Sequence, residues 1–288
     1  MVKEFPQGYV HALVQRALEE DVGTGDITSA ATVPESTVAR AHLVAKAAGV
    51  LSGVDVAEAT FLAIDPGIRF STCAGEGCRV AKGDLVFTVE GRARALLAAE
   101  RTALNFLAHL SGVATLTARF VDAVAGSGAR ILDTRKTTPG MRLLEKRAVR
   151  SGGGMNHRVG LYDMVLMKEN HIRAAGGITK AISACNQYLR HQGLTGTKVE
   201  VETTCEEEVR EALAAGCDRI MLDNMTEDEM RSSVLLIRSI APATEIEASG
   251  NMTLERVPAV AKTGVDFISI GALTHSAPVL DLSLQFEM

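Results

Sequence analysis

Hydrophobic and polar positions in the second half of the chain follow a repeating unit of one strand and one helix. Apolar or alternating segments typical of strands begin at residues 198, 219, 245 and 266, so consecutive strands start 21, 26 and 21 residues apart. The segments between them carry apolar residues at helical spacing. Strands that alternate with helices of this length pair in parallel through right-handed crossovers. The pattern therefore predicts a (β/α) repeat.

Strands are also predicted upstream of this repeat. Residues 130–133 and 164–167 are strand-like, and residues 155–158 have the pattern of a shorter strand. The resulting six or seven strand–helix units favour a closed (β/α) barrel over an open doubly wound sheet.

The first part of the chain lacks the repeat and predicts a separate α+β domain. A helix is expected over residues 8–20, strands over 38–44 and 84–89, and a long Ala-rich helix over 93–125. We place the domains at 1–112 for the α+β part and 113–274 for the barrel, with a tail over 275–288 that packs on the first domain.

Several helix starts are predicted from side chains that cap backbone N–H groups. Thr204 with Glu207 and Thr226 with Glu229 have the spacing of capping boxes, and Thr253 precedes a third apolar helix. The Gly-rich segment 21–26 is too loosely spaced for a phosphate loop, and we interpret it as a turn or cap.

Composition excludes several classes of protein. Hydrophobic residues make up 47% and charged residues 23%, which argues against a mainly disordered chain. Aromatic residues make up 4% without any Trp, and the net charge is −5, so neither a base-stacking platform nor a nucleic-acid partner is expected. Five cysteines without C-x-x-C spacing and the lack of long apolar runs predict a cytoplasmic protein with no membrane partner.

One segment reverses the acidic average. Residues 135–173 contain nine Lys and Arg against three acids, a local charge of +6 in a chain of net −5. Ligands of parallel α/β proteins bind at the carboxyl ends of the strands. Arg135, Lys136, His157, Arg158 and Lys168 follow predicted strands and form a cationic set suited to carboxylates and phosphates.

The remaining strand ends supply complementary chemistry. Glu202 and Asp223 offer oxygens for sugar hydroxyls or Mg²⁺. Small residues at Ser249, Gly250 and Gly271 allow backbone N–H groups to approach a phosphate. Together these positions predict a polyanionic ligand that contains a phosphorylated sugar.

Other charged residues have structural explanations at this stage. Glu200 is interpreted as an interior acid paired with a lysine, His171 as a helix-start residue and His109 as structural. A set of basic residues at helical spacing is interpreted as a solvated helix face: Arg142, Lys146, Arg147 and Arg150.

Motifs along nearly the whole chain resemble those of the quinolinate phosphoribosyltransferase family. They are EDVGTGDIT at 20–28, ERTALN at 100–105, DTRKTTPG at 133–140, GGMNHR at 153–158, LMKENH at 166–171, LDN at 222–224, ASG at 248–250 and SIG at 269–271. The resemblance implies an α/β protein with an N-terminal α+β sandwich domain followed by an irregular (β/α) barrel. It also implies a homodimer, in which Arg101 completes the neighbouring active site.

The resemblance also implies roles for individual residues. The pyridine dicarboxylate would be held by Arg135, His157, Arg158 and Lys168 beside Thr134, with Lys136 near the phosphates. Glu202 and Asp223 would face the ribose and Mg²⁺; Glu202 is preferred to Glu200 for its spacing from Asp223. The 5′-phosphate would be held by Ser249, Gly250, Asn251, Ile270 and Gly271. Asn251 stands where glycine is common among relatives.

The reaction implied is the conversion of quinolinate and 5-phosphoribosyl 1-pyrophosphate to nicotinate mononucleotide, pyrophosphate and CO₂ in NAD biosynthesis. Lys136, Lys168, Glu202 and Asp223 would be catalytic. Three alternatives stay open: a Schiff-base lysine at Lys168, a phosphoribosyltransferase-like protein associated with molybdenum uptake, and a non-catalytic binder of anionic metabolites.

Overall fold

The computed structural model describes residues 5–287 and divides into two compact units. Unit 1 contains the described residues up to 118, together with 137–153 and 272–287. Unit 2 contains residues 119–136 and 154–271. Both units are discontinuous in sequence, and the domain boundary expected between residues 112 and 113 stays a prediction.

The helices and strands alternate through most of the chain. The helices are α1 (Tyr9–Asp21), α2 (Ile27–Thr32), α3 (Val54–Ile64), α4 (Ala93–Ala123), α5 (Arg142–Ser151), α6 (Glu169–Ala175), α7 (Ile178–His191), α8 (Glu206–Ala215), α9 (Glu227–Ile240), α10 (Val257–Ala261) and α11 (Ala272–His275). The strands are β1 (Val38–Ala45), β2 (Gly49–Val50), β3 (Arg69–Thr72), β4 (Arg79–Val80), β5 (Leu85–Arg92), β6 (Arg130–Leu132), β7 (Val165–Met167), β8 (Val199–Thr203), β9 (Arg219–Asp223), β10 (Glu245–Ser249), β11 (Phe267–Ser269) and β12 (Leu282–Glu287).

Unit 1 is built on an antiparallel sheet with the strand order β12-β1-β5-β3. Every second residue of β1 from Ala39 to Ala45 is buried, as expected for a strand with one face on a core. Phe87 lies 4.4 Å from Phe70 and 6.1 Å from Phe61 between ring centroids, so aromatic side chains fill this core. The C-terminal segment contributes the edge strand β12.

Unit 2 contains a parallel six-stranded sheet with the order β6-β11-β10-β9-β8-β7. Four of its strands begin at residues 199, 219, 245 and 267, within one residue of the predicted starts. The segment predicted as a short strand near 155 makes one parallel bridge, between Met155 and Leu132. The predicted fold class is confirmed: an α/β protein with an antiparallel N-terminal sheet and a barrel-like parallel C-terminal part.

Two of the predicted caps have clear outcomes. Thr226 and Glu229 form the expected capping box at the start of α9, because the Thr226 hydroxyl and the Glu229 carboxylate each bind the other residue's backbone N–H. The Thr204–Glu207 box is wrong. Cys205 occupies the cap position of α8, and Thr204 instead donates its N–H to Glu208 at 2.7 Å.

The basic residues of α5 correct another expectation. Lys146 is fully buried, and the Arg147 side chain is only 15% exposed, so the helix does not present these two as a solvated face. Arg150 is exposed, as expected. Arg147 donates two hydrogen bonds to Asp55, at 2.6 and 2.7 Å, and stacks over Phe5. Packing within unit 1 therefore overrides the charge pattern of the helix.

No helix within residues 5–287 is both long enough and apolar enough to cross a membrane.

Gly112, in the middle of α4, offers a test of the packing of unit 1. A Cβ at this position would overlap the Pro278 carbonyl oxygen and lie 3.0 Å from the Val279 Cα. Gly112→Ala is therefore expected to lower the free energy of unfolding by about 1–3 kcal/mol, although alanine normally favours a helix. Urea denaturation would measure the change. Gly196→Ala, at a site with open space, is the control; equal stability of wild type and Gly112→Ala would contradict the prediction.

Candidate active site

The carboxyl ends of the unit 2 strands bring most of the predicted site residues to one edge of the sheet. Because β6 to β11 are parallel, residues that follow them emerge on the same side. These residues are Thr134, Arg135 and Lys136 after β6, Lys168 after β7, Glu202 and Asp223 near the ends of β8 and β9, Ser249, Gly250 and Asn251 at the end of β10, and Ile270 and Gly271 after β11. His157 and Arg158 follow the Met155 bridge beside β6. Arg101 is an exposed residue of α4 in unit 1.

Lys168 and Glu202 form an ion pair at this edge. Lys168 Nζ lies 3.1 Å from Glu202 Oε2, with side-chain exposures of 52% and 13%. The other carboxylate oxygen of Glu202 accepts the Glu169 N–H at 3.4 Å. His171 accepts the Lys168 N–H through Nδ1 at 3.0 Å, so its predicted helix-start role is confirmed.

Glu200 lies on the same strand but deeper. It is fully buried, and it pairs in register with Arg219, whereas Glu202 pairs with Met221 one step nearer the strand end. The prediction of an interior acid is confirmed, but its partner is His157 rather than a lysine, with Glu200 Oε2 lying 3.0 Å from His157 Nε2.

Asp133 holds the segment that carries His157 and Arg158. Its buried carboxylate accepts the His157 N–H at 2.8 Å and the Asn156 side-chain amide at 2.6 Å. Hydrogen bonds to a buried carboxylate are charge-assisted and strong. The segment is therefore fixed against β6 although it forms no regular strand.

The His157 ring faces two buried carboxylates. Its Nε2 lies 3.0 Å from Glu200 and 3.4 Å from Glu247, while its Nδ1 lies 2.7 Å from the Arg158 backbone nitrogen. Burial lowers the pKa of His157. Two carboxylates at these distances outweigh this effect, since each attraction is several kcal/mol at an effective dielectric constant of ~20. They raise the pKa of His157 to about 9.

Arg135 and Arg158 lie close enough to repel each other. Burial, and then the positive charge of Arg135, lower the pKa of Arg158 below the usual arginine value. Arg158 also donates to the Met164 carbonyl oxygen at 3.2 Å, which orients its guanidinium. Two adjacent half-buried guanidinium groups attract an anion with two acidic groups, because its negative charges offset the repulsion between the two guanidinium groups.

Loops after β9 and β10 are tied together beside Asp223. The Asn224 amide donates to Asp223 Oδ2 at 2.7 Å, and its oxygen accepts the Asn251 amide at 3.2 Å. Asn224 and Asn251 both have positive φ, 57° and 50°, a conformation that asparagine tolerates better than most residues. Gly250, at φ 95°, lets the loops meet because a Cβ there would lie only 2.8 Å from the Asn224 nitrogen.

Glu202 and Asp223 have the donor chemistry that Mg²⁺ requires. Mg²⁺ in proteins commonly binds one or two carboxylates together with substrate phosphates. Both side chains are partly exposed at the strand edge, so they are accessible to a phosphorylated substrate and its metal ion. The residues therefore fit the predicted cofactor, which stays a prediction.

Arg219, Glu247 and Asn224 are site neighbours that were not predicted individually. The signal for the first two is a charged residue at an inward position of an otherwise apolar strand, as in Arg219-Ile-Met-Leu and Ile-Glu247-Ala. Such positions indicate buried ion pairs, but their partners are distant in sequence.

Comparisons with known proteins agree along the length of the chain. A family model described as quinolinate phosphoribosyl transferase, C-terminal domain, matches residues 113–285, and the corresponding N-terminal domain model matches residues 26–111.

Individual relatives give the same result. The chain is 47% identical to a probable nicotinate-nucleotide pyrophosphorylase [carboxylating] of Synechocystis sp. over 94% of its length and 90% of the relative's. It is 44% identical to quinolinate phosphoribosyltransferase [decarboxylating] 1b of Nicotiana tabacum, with coverages of 96% and 81%. Among solved structures, the nicotinate-nucleotide pyrophosphorylase of Francisella tularensis matches with a TM-score of 0.92 and 38% identity, over 100% of this chain and 99% of that one.

The raised pKa of His157 predicts a pH-dependent stability. A folded-state pKa of about 9 against 6.5 unfolded means that the folded protein binds this proton more tightly. The contribution is complete below pH 6.5 and is lost as the pH rises through 9. Urea denaturation of wild type and His157→Gln should show a stability difference that shrinks by a few kcal/mol between pH 6 and pH 10. A difference independent of pH would contradict the assignment.

Proposed function

Because this chain belongs to the quinolinate phosphoribosyltransferase family, we propose that it transfers the phosphoribosyl group of 5-phosphoribosyl 1-pyrophosphate to quinolinate. The products would be nicotinate mononucleotide, pyrophosphate and CO₂, formed on the route to NAD. The observation that carries the proposal is that cationic residues, Arg135, Arg158 and Lys168, and the carboxylates of Glu202 and Asp223 meet at one edge of the parallel sheet, where Lys168 and Glu202 form an ion pair. We call the cations of this edge the cationic wall: Arg135, His157, Arg158 and Lys168. A cationic wall next to carboxylates suits a dicarboxylate that binds beside a sugar.

The dicarboxylate would bind the cationic wall. Arg135 and Arg158 would take its carboxylates through guanidinium forks, with His157 and Lys168 adding positive charge and Thr134 a hydroxyl. Held in this way, the pyridine nitrogen would lie next to the ribose and need little reorientation before it attacks.

The phosphoribosyl donor would bind the opposite part of the edge. Glu202 and Asp223 would accept the ribose hydroxyls, and Lys136 would neutralise the pyrophosphate. The 5′-phosphate would be held by the loops containing Ser249, Gly250, Asn251, Ile270 and Gly271. When bound by Glu202 and Asp223, Mg²⁺ would supply positive charge to the leaving pyrophosphate.

Two steps account for the reaction. The ring nitrogen forms a bond to the anomeric carbon as the bond from that carbon to pyrophosphate breaks, and positive charge develops on the sugar. The alkylated ring then accepts the electron pair of the adjacent carbon–carboxylate bond, CO₂ leaves, and that carbon takes a proton. Lys168 would stay beside the ring, while Glu202 would stabilise the sugar's positive charge.

The assembly and location are part of the proposal. Arg101 is exposed on α4, as expected for a residue that completes the active site of a second subunit in a homodimer. The five cysteines are free thiols, which supports a cytoplasmic location.

The Schiff-base alternative makes a different demand on Lys168. Nucleophilic attack needs a neutral amine, so the ion pair with Glu202 would first have to break. Borohydride trapping with a carbonyl substrate would detect such chemistry. Coupled assays of pyrophosphate and CO₂ would test the proposed reaction, and product formation independent of the phosphoribosyl donor would refute it. Binding without turnover would favour a metabolite-binding protein, and turnover with another acceptor would favour the molybdenum-associated relative.

Arg158→Ala tests the dicarboxylate site. We expect the KM for quinolinate to rise about 100-fold, ~3 kcal/mol, because a buried carboxylate–guanidinium contact is lost. Steady-state kinetics at saturating phosphoribosyl donor would measure it. Arg173→Ala is the matched control, since Arg173 is exposed and forms an ion pair with Glu169 along α6. An unchanged KM and kcat in Arg158→Ala would reject the role.

Gly250→Ala tests the phosphate loop. The added Cβ would push Asn224 away and strain a backbone with φ 95°. We expect the KM for the phosphoribosyl donor to rise at least about tenfold and the KM for quinolinate to change little, since strain of this kind costs ~1–3 kcal/mol. Gly216→Ala introduces similar backbone strain, at φ 81°, in open space; if it produced the same kinetic change, loop closure would not be the cause.

A further inference from the structure

A layer of buried charge lies one step below the strand ends of unit 2. Side chains two residues apart on a strand point to the same face. Glu200 therefore lies beneath Glu202 on β8, and Glu247 beneath Ser249 on β10. Each proposed substrate-facing residue of these two strands thus has a buried acid as its neighbour on the inner side.

Glu247 connects the two cations of this layer. Its Oε2 lies 3.0 Å from the Arg219 guanidinium and 3.4 Å from His157 Nε2, and its side chain has no exposed surface. The paired cations hold the pKa of Glu247 below the usual value, even though burial raises it. His157 stands beside β6 at one end of the strand order, whereas Glu200 belongs to β8 near the other end. The network therefore crosses the interior enclosed by the sheet.

The charged groups of this network are held in fixed orientations. Arg219 lies over the Phe267 ring, 4.4 Å from its centroid, which fixes the guanidinium plane. Charged groups in such a position are costly to desolvate, and apolar residues of similar volume often stabilise a core equally well. The buried charged groups therefore give the barrel interior directional contacts rather than additional stability.

The imidazole and the two carboxylates of this network do not form a convincing metal site. His157, Glu200 and Glu247 bring ligand atoms within 4.8 Å of one another. However, Arg219 already lies against Glu247, and the two carboxylates raise the pKa of His157, which favours a proton rather than a metal ion on Nε2.

His157 connects this buried layer to the strand edge at which the substrate would bind. The acids hold the Nε2 side of the ring, and Nδ1 on the other side lies 2.7 Å from the backbone nitrogen of Arg158. If the ring turned, this contact would be lost and the backbone that presents the Arg158 guanidinium would be released.

We propose that Glu247, together with Glu200 and Arg219, is a positioning network that fixes the His157 ring and through it holds Arg158 in place for a dicarboxylate. This inference rests on the proposed function, because it assigns Arg158 to the quinolinate carboxylates. It adds three residues, none of which touches the substrate, to the determinants of quinolinate affinity.

Glu247→Gln tests the network with little change in volume. We expect the KM for quinolinate to rise about tenfold, while the KM for the phosphoribosyl donor and kcat change less than about threefold. The matched control is Glu245→Gln: Glu245 lies on the same strand and also contacts Arg219, at 2.8 Å, but it is two residues further from the strand end. Its KM values should equal those of the wild type.

A spectroscopic measurement separates this network from the reaction itself. Long-range ¹H–¹⁵N spectra of the substrate-free protein, labelled at histidine, would report the His157 ring state. The His157 signals should shift in Glu247→Gln and Glu200→Gln and stay unchanged in Glu245→Gln. If the wild type lacked turnover while these shifts were present, the proposed function would fail and the network would stand without its quinolinate role.

Several outcomes would overturn the inference. They are unshifted His157 signals in Glu247→Gln, parallel increases in both KM values, and an equal effect of Glu245→Gln. If neither Glu247→Gln nor Glu200→Gln folds, as judged by circular dichroism, the acids are structural and the positioning role is rejected.

Discussion

The proposed site depends on the attraction between buried carboxylates and the cations placed between them. Glu200 and Glu247 would repel each other across the interior of unit 2 without His157 and Arg219. Burial and the charge of Glu247 already raise the pKa of Glu200 to about 7, and without the two cations this repulsion would open the sheet or protonate the acids. The same attraction raises the pKa of His157 and directs its ring. The protonation of His157 in the interior and the position of Arg158 at the strand edge therefore have one cause.

At the strand edge above this layer, two regions are held rigid by different interactions. Arg135 and Arg158 remain close in spite of their repulsion because Asp133 and the Met164 carbonyl oxygen hold the segment that carries Arg158. The loops after β9 and β10 are instead held by side-chain amides and by backbone conformations with positive φ. Contacts within the protein therefore hold both the cationic surface and the hydrogen-bonding loop in place, which lowers the entropy lost on binding.

Local signals explain how much could be predicted. The strand starts and the Thr226 cap follow from alternation and spacing over a few residues, and those elements lie where expected. The Thr204 cap was misplaced because Glu207 and Glu208 are both acids, and only the folded turn selects Glu208. Charge pattern alone could not show the burial of Lys146, nor the pairing of His157 with Glu200, since these depend on residues far away in the chain.

The position of β12 has a consequence for how the protein is made. β1 occupies residues 38–45, and its edge partner β12 occupies residues 282–287 at the other end of the chain. At a synthesis rate of ~5–20 residues per second, the ribosome needs about 10–50 s to produce the intervening residues. During that time the backbone groups at this edge of β1 face solvent or a chaperone. Unit 1 can thus complete its sheet only after β12 leaves the ribosome, whereas the strands of unit 2 are all synthesised before β12.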